Sequence, residues 1–318
     1  MNFTTPIPLQ KSNQPINYDS KIILLGSCFA ENMGEKFIYF KFQTTVNPFG
    51  IIFNTVSIEK LIHRAVHKIE FTESDIFFHN ESWHCFEVHS ECSDFSKDEL
   101  LSKLNQMLHH FRIQIEEATH IIITYGTSWV YRNVTSNEIV ANCHKVPQNQ
   151  FQKELLSIEI TQKSIENTVA LIQSLNPNCH FIFTISPVRH TKDGFVENQR
   201  SKAHVIAALQ DFLSTEKRSL NTGYFPSYEI MMDELRDYRF YANDMLHPSP
   251  PAIDYIWIKF FENYVAETEF GLMNQICEIQ RSLHHKPFNP YSESHQKFLS
   301  NLNQKIATLV QQYPQIKF

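Results

Sequence analysis

The chain has 318 residues, 42% hydrophobic and 19% charged, which is globular composition and excludes an intrinsically disordered chain. A formal net charge of −6, with no run of Lys or Arg, gives no electrostatic footprint for nucleic acid or an anionic membrane surface. The start Met1-Asn2-Phe3-Thr4-Thr5-Pro6 lacks a secretory pattern and no stretch reaches membrane-spanning length, so a cytoplasmic protein is expected, its six cysteines free thiols.

In chain order, residues 21–25 predict a first buried strand, then Gly26-Ser27 and a helix over 30–37. Ser27 then projects from a strand-to-helix turn, beside unpaired backbone N–H groups able to hold an oxyanion. Alone, Gly-Ser is also an ordinary turn with a helix cap. Residues 40–46 predict a second strand ending in Asn47-Pro48-Phe49-Gly50, where Gly50 lets the backbone approach a ligand and Asn47 can donate an amide proton. Residues 75–88 alternate around Asn80-Glu81 as a hairpin. Ser96-Lys97-Asp98-Glu99 is a capping-box signature, and Leu100, Leu104, Leu108, Phe111 and Ile115 follow at helical spacing. Residues 120–125 predict the third strand, with Gly126, Thr127, Ser128 and Trp129 after it, Trp129 being either core or substrate platform. A second hairpin is expected over 129–141 around Ser136-Asn137.

A second crossover helix places Leu155, Ile158, Ile165, Val169 and Ile172 on one face and stops before Asn176-Pro177. The fourth strand, 180–185, leads into Ser186-Pro187-Val188-Arg189-His190, either a surface loop or a place where Arg189 and His190 meet a polar substrate. The fifth strand is expected at 228–232, and after it come Asp244-Met245-Leu246-His247-Pro248-Ser249. One short turn there lets Asp244 orient His247, which in turn takes the Ser27 proton. Beyond Thr268 a stripe of Phe298, Leu302, Ile306, Leu309 and Tyr313 reads as a packing or homodimer helix. Alternating strands and helices predict an α/β fold, a parallel sheet covered on both faces with its chemistry beyond the carboxyl ends of the strands.

These residues resemble the GSCFA family, named for the motif at Gly26-Ser27-Cys28-Phe29-Ala30, within the SGNH/GDSL hydrolase superfamily, over most of 21–264. The resemblance implies a three-layer, flavodoxin-like α/β fold with a five-stranded parallel sheet. It places a hydrolase-like domain at 1–267, hairpin insertions near 75–88 and 129–141, and a helical extension at 268–318 packing on it. It also implies Ser27 as nucleophile, Gly50 as an oxyanion glycine, and Asp244 and His247 as the remaining triad, although Cys28 replaces the neighbours usual in GDSL enzymes. The superfamily's third block is Gly-x-Asn, whereas this chain reads Gly126-Thr127-Ser128. The Ser128 hydroxyl, or a residue of Asn142-Cys143-His144-Lys145, which resembles a further family signature, is then the substitute donor.

The expected activity is cofactor-free hydrolysis of a small-molecule or saccharide ester, an O-acetyl or other short acyl on a carbohydrate. Substrate contacts are expected from Asn47, Gly126, Thr127, Trp129, Asn142, His144, Lys145, Arg189 and His190. Acyl transfer shares the acyl-enzyme, the missing asparagine motivates a non-catalytic carbohydrate-binding or scaffold alternative, and Cys28 near a helix start offers a thiolate nucleophile. His79, His84, Cys85, His89 and Cys92 are of zinc-ligand type, but on an extended stretch His84 faces away from Cys85 and His89, so no metal site is expected.

Overall fold

Alternation along the buried strands separates the two halves of the core. In β1 (Lys21–Gly26) Ile23 and Leu25 face one hydrophobic cluster while Ile22 and Leu24 face the other. The computed structural model describes residues 4–215 and 221–318, so Met1 to Phe3 of the N-terminal stretch lie outside it. After β1 the chain runs through α1 (Cys28–Tyr39), β2 (Gln43–Val46), α2 (Thr55–His67), the hairpin β3 (Ile76–His79) and β4 (Ser82–Cys85), and α3 (Lys97–Glu117). It continues through β5 (His120–Tyr125), β6 (Trp129–Asn133), β7 (Ile139–Val140), β8 (Phe151–Leu155), α4 (Ile158–Leu175), β9 (His180–Ile185) and α5 (Phe195–Ser214). The last elements are β10 (Thr222–Tyr224), the short α6 (Ser227–Glu229), α7 (Pro250–Tyr264), α8 (Phe270–Leu283) and α9 (Glu293–Gln312).

The fold is α/β. Five strands form one parallel sheet in the order β10-β9-β5-β1-β2. Successive connections leave β1 in opposite directions across the sheet, so a crevice opens between the carboxyl ends of β1 and β5. One face is covered by α2, α3, α4 and α5, and the other by α1, α7, α8 and α9. Leu302 and Leu309 of α9 are buried on this second face beside Ile276 and Ile279 of α8.

The fifth strand is not at 228–232. Tyr228 and Ile230 belong instead to α6 and a π turn, Ile230–Glu234, that continues it. A short apolar run fits a buried helix and a buried strand equally well. The strand that does close the sheet, β10, is the short Thr-Gly-Tyr segment paired with β9, too polar to announce itself. The second strand is shorter than expected because α1 runs to Tyr39 and Lys41 turns the chain at φ 65°. Leu155 ends β8 rather than opening a helix; Ser157 caps α4, accepting from the Ile160 N–H at 3.2 Å.

The hairpin at 75–88 turns on Asn80 and Glu81, both at positive φ as a type I′ turn requires. Arg64 of α2 ties it to the core, donating from Nε to Glu87 at 2.5 Å and from Nη2 to Asp75 at 2.6 Å. Arg64→Ala leaves Glu87 with Lys60 and Asp75 with its Thr72 hydrogen bonds, and the loss of the charged hydrogen bonds is expected to destabilise the protein by about 1.5–3 kcal/mol, read from the urea midpoint. A loss below about 1 kcal/mol would mean that water already solvates the cluster.

Candidate active site

At the end of β1, Gly26 has φ +130°, and a Cβ there would lie 2.1 Å from the Thr124 carbonyl oxygen. Only glycine fits. Its N–H donates to Asn47 Oδ1 at 2.8 Å, and the Ser27 N–H donates to Thr124 O at 3.1 Å. Ser27, 1% exposed, is the N-cap of α1, its hydroxyl oxygen accepting from the Phe29 N–H at 3.2 Å. Among the described residues that hydroxyl donates its own proton to no protein acceptor. A hydroxyl so placed sits in the positive field of the helix terminus.

The side chain of Asn47, itself at φ 40°, is held at both ends, by Gly26 and by Glu31 Oε1 at 3.4 Å. It shapes the turn that carries Ser27, and its amide is not the free substrate donor expected from the sequence. Gly50 at φ +76° leaves room for His89, whose Cβ a side chain there would approach to 2.3 Å, and its N–H closes the turn onto Asn47 O at 2.8 Å. After β5, Thr127 and Ser128 form a seam with α5. Thr127 Oγ1 shares a 2.5 Å hydrogen bond with Ser201 Oγ, and the Ser128 hydroxyl donates to the Ser201 carbonyl at 3.1 Å. That engagement takes Ser128 out of the set of free oxyanion donors. Trp129 joins the same seam, its indole N–H donating to Glu197 O at 3.2 Å and its ring under the Lys153 ammonium at 4.9 Å.

Asp244 and His247 form a compact pair. Asp244 Oδ1 accepts from the Leu246 and His247 N–H groups at 2.9 and 3.0 Å, and Oδ2 lies 2.5 Å from His247 Nδ1. Met245 pays for the turn with φ 59°, strain of the kind that marks functional sites. Backbone N–H groups of His247 and Leu246 first, then the imidazole, hold the Asp244 carboxyl down at about 2. Both side chains are about half exposed, and no hydrogen bond joins the His247 ring to Ser27.

Arg189, expected to meet substrate, clamps this loop. Its backbone N–H donates to Leu246 O at 3.4 Å, its guanidinium donates to the Met245 carbonyl, and it stacks 4.4 Å from the Tyr241 ring. The loop is thereby moored to the segment leaving the carboxyl end of β9.

The GSCFA family model matches residues 21–260, three-quarters of the chain. The chain belongs to the GSCFA family. A second model, described as GSCFA domain protein, C-terminal domain, matches 276–318. A crystal structure of an acetyl esterase mutant with acetate ion matches 81% of this chain and 99% of its own at 9% identity and a TM-score of 0.32, too loose to bear on fold or chemistry. No curated protein matches the chain.

In this GSCFA protein the segment Asn142-Cys143-His144-Lys145 braces the insertion. His144, at φ 48° and followed by Lys145 at φ 59°, pairs through Nε2 with Cys85 O at 2.7 Å, and Asn142 Oδ1 accepts from the Ser90 hydroxyl at 3.2 Å. These contacts steady the loop that lays His89 against Gly50. Among the described residues, no three or more His, Cys, Asp or Glu are grouped to hold a metal ion.

Sequence reasoning missed Lys202 and Ser201. They lie on α5 with Asn198, Val205 and Leu209 on its buried face, but the first three buried positions are polar, so the hydrophobic period of the helix begins only at Val205. Lys202 is 1% exposed, and its ammonium donates to Ser186 O at 2.6 Å. Burial pushes its pKa down to about 7, opposed by Cys28 and Glu229. The Cys28 thiol is pushed up, by burial and then Glu31, against the pull of Lys202, which disfavours a thiolate there.

Burial also drives His120, His144 and His190 from 6.5 to about 4. Between those values the unfolded chain holds more protons than the folded one, so stability is complete above about pH 6.5 and falls as pH drops toward 4. The slope is at most about 1.4 kcal/mol per pH unit for each ring. Urea midpoints that stay level across this window would show that the rings are not held neutral.

Proposed function

We propose that this GSCFA protein is a carboxylic-ester hydrolase of SGNH/GDSL type, on a flavodoxin-like three-layer fold spanning 1–267 with 268–318 as a packed extension. The sheet order supports the fold reading: numbered along the chain within the sheet it is 2-1-3-4-5. The observation that carries the activity is the Asp244–His247 pair, fixed by three hydrogen bonds and moored by Arg189 to the same sheet edge that presents Ser27.

In the reaction the Ser27 oxygen attacks the ester carbonyl carbon while its proton passes to His247 Nε2, and the carbonyl π pair moves onto oxygen. Collapse of that oxyanion expels the alcohol, which takes the proton back from His247. Water then repeats the sequence on the acyl-Ser27, releasing the acid and restoring the serine. Asp244 keeps the ring oriented and stabilises its cation. The acyl group in this reading is a short one such as acetyl. The alcohol we propose is a carbohydrate hydroxyl.

A second reading, a non-catalytic carbohydrate-binding protein on a hydrolase scaffold, is favoured by one observation. The Ser27 N–H, the Gly50 N–H and the Ser128 hydroxyl all donate within the protein. A fluorophosphonate probe separates the two readings. Labelling confined to Ser27, together with turnover of short-chain aryl esters, supports the hydrolase; folded protein that neither labels nor turns over supports the scaffold. Added sugar acceptors, with product analysis, then distinguish hydrolysis from transfer.

A further inference from the structure

We propose that the His190 imidazole is the side-chain oxyanion donor of this site, presenting Nε2–H to the ester carbonyl oxygen beside Gly126. The inference rests on the hydrolase reading above and adds a residue to it.

His190 Nε2 is sealed from solvent and has no hydrogen-bond partner. Buried polar atoms are nearly always paired, so an unpaired one next to a candidate active site calls for a ligand. Its location is specific. A Cβ on Gly126 would come within 3.3 Å of this nitrogen and 2.9 Å of the Phe53 Cβ, so the imidazole edge packs directly against the glycine at the end of β5. The ring is held from several sides. It stacks on Phe53 with centroids 5.4 Å apart, its backbone N–H donates to Asn198 Oδ1 at 2.8 Å, and the Phe53 carbonyl accepts from the Gly126 N–H at 2.8 Å. The segments following β2, β5 and β9 therefore meet at this ring, on the edge of the sheet where Ser27 lies.

Charge favours the same role. Burial first, then Lys202 and His247, push the His190 pKa down to about 4, with Asp193 opposing, so the ring is neutral at working pH. A neutral imidazole carries one N–H and can polarise a carbonyl without adding a cation that would oppose proton transfer to His247. Other buried imidazole nitrogens lacking a partner are less suited. His79 Nε2 lies in the hairpin insertion, and His89 Nδ1, though beside Gly50, is 3.7 Å from the Glu91 carboxylate. Since the Ser27, Gly50 and Ser128 donors are engaged, the unpaired His190 Nε2 is a side-chain donor able to hold the developing charge.

The test uses the full chain, with p-nitrophenyl acetate turnover and the rate of fluorophosphonate labelling at Ser27 as readouts. His190→Phe keeps the ring stack and removes the donor; it is expected to lower kcat and the labelling rate about 10²- to 10³-fold while KM changes little. His190→Gln restores an N–H and is expected to recover part of that loss. A His190→Phe protein within about threefold of wild type, when wild type labels at Ser27, overturns the inference and leaves the hydrolase reading standing. Wild type that neither labels nor turns over removes both. If His190→Phe does not fold, proton NMR of the wild type decides. The His190 Nε2–H resonance is expected to move downfield when Ser27 is phosphonylated, and an unmoved resonance overturns the inference.

Discussion

Ser27→Ala is expected to lower ester turnover by about 10⁶-fold, to the residual rate of binding and oxyanion contacts alone, while Cys28→Ala stays within about threefold of the parent. The contrast is sharp because the two side chains are adjacent at the start of α1 and share the helix terminus. Ser27 offers a hydroxyl whose oxygen is fixed by the Phe29 N–H and whose proton is uncommitted within the described residues. Cys28 offers a thiol that burial and Glu31 keep protonated, whereas a nucleophilic cysteine needs its pKa lowered. The alanine at 27 also removes an N-cap, which costs about 1 kcal/mol and leaves a folded protein to assay. Equal rates for wild type and Ser27→Ala would end the serine mechanism. Loss confined to Cys28→Ala would transfer the role to sulfur.

How far the sequence was legible follows from where each residue's constraint originates. Strands β1, β5 and β9 are buried over nearly their whole length and read directly as apolar runs. β10 is an edge strand held by pairing to β9, a long-range constraint that its three residues do not encode. The helix face carrying Asn198, Ser201 and Lys202 is buried because polar groups opposite it, the Ser128 and Thr127 turn and the Ser186 carbonyl, provide partners. Such pairing is a property of two distant segments and leaves no periodic trace in either. The placement of Ser27 at the turn from β1 into α1, and the pairing of Asp244 with His247, were legible because each lies in a recognisable local turn. The donors were not, because whether a backbone N–H or a hydroxyl is free depends on its acceptor, and the acceptors of Ser27, Gly50 and Ser128 became evident only in three dimensions.

Asp244→Asn is expected to lower kcat by about 10⁴-fold with little change in KM. The native carboxylate is used completely: Oδ1 receives two backbone N–H groups, and Oδ2 receives the His247 Nδ1 proton. An asparagine can satisfy the backbone donors only by turning its NH₂ toward the imidazole, which then places the imidazole proton on Nε2, where it blocks acceptance from Ser27. The turn survives the exchange because Arg189 still holds Leu246 and Met245, so the loss falls on the proton relay and not on the fold. With its pKa depressed to about 2, Asp244 remains ionised down to strongly acid pH, and its contribution fades only as pH falls through that value. The acid limb of the wild-type rate profile therefore belongs to another group, and Asp244→Asn should depress the whole neutral plateau. An Asp244→Asn enzyme within about tenfold of wild type would show that His247 is oriented without this carboxylate, and the proposed relay would have to be rebuilt around a different partner.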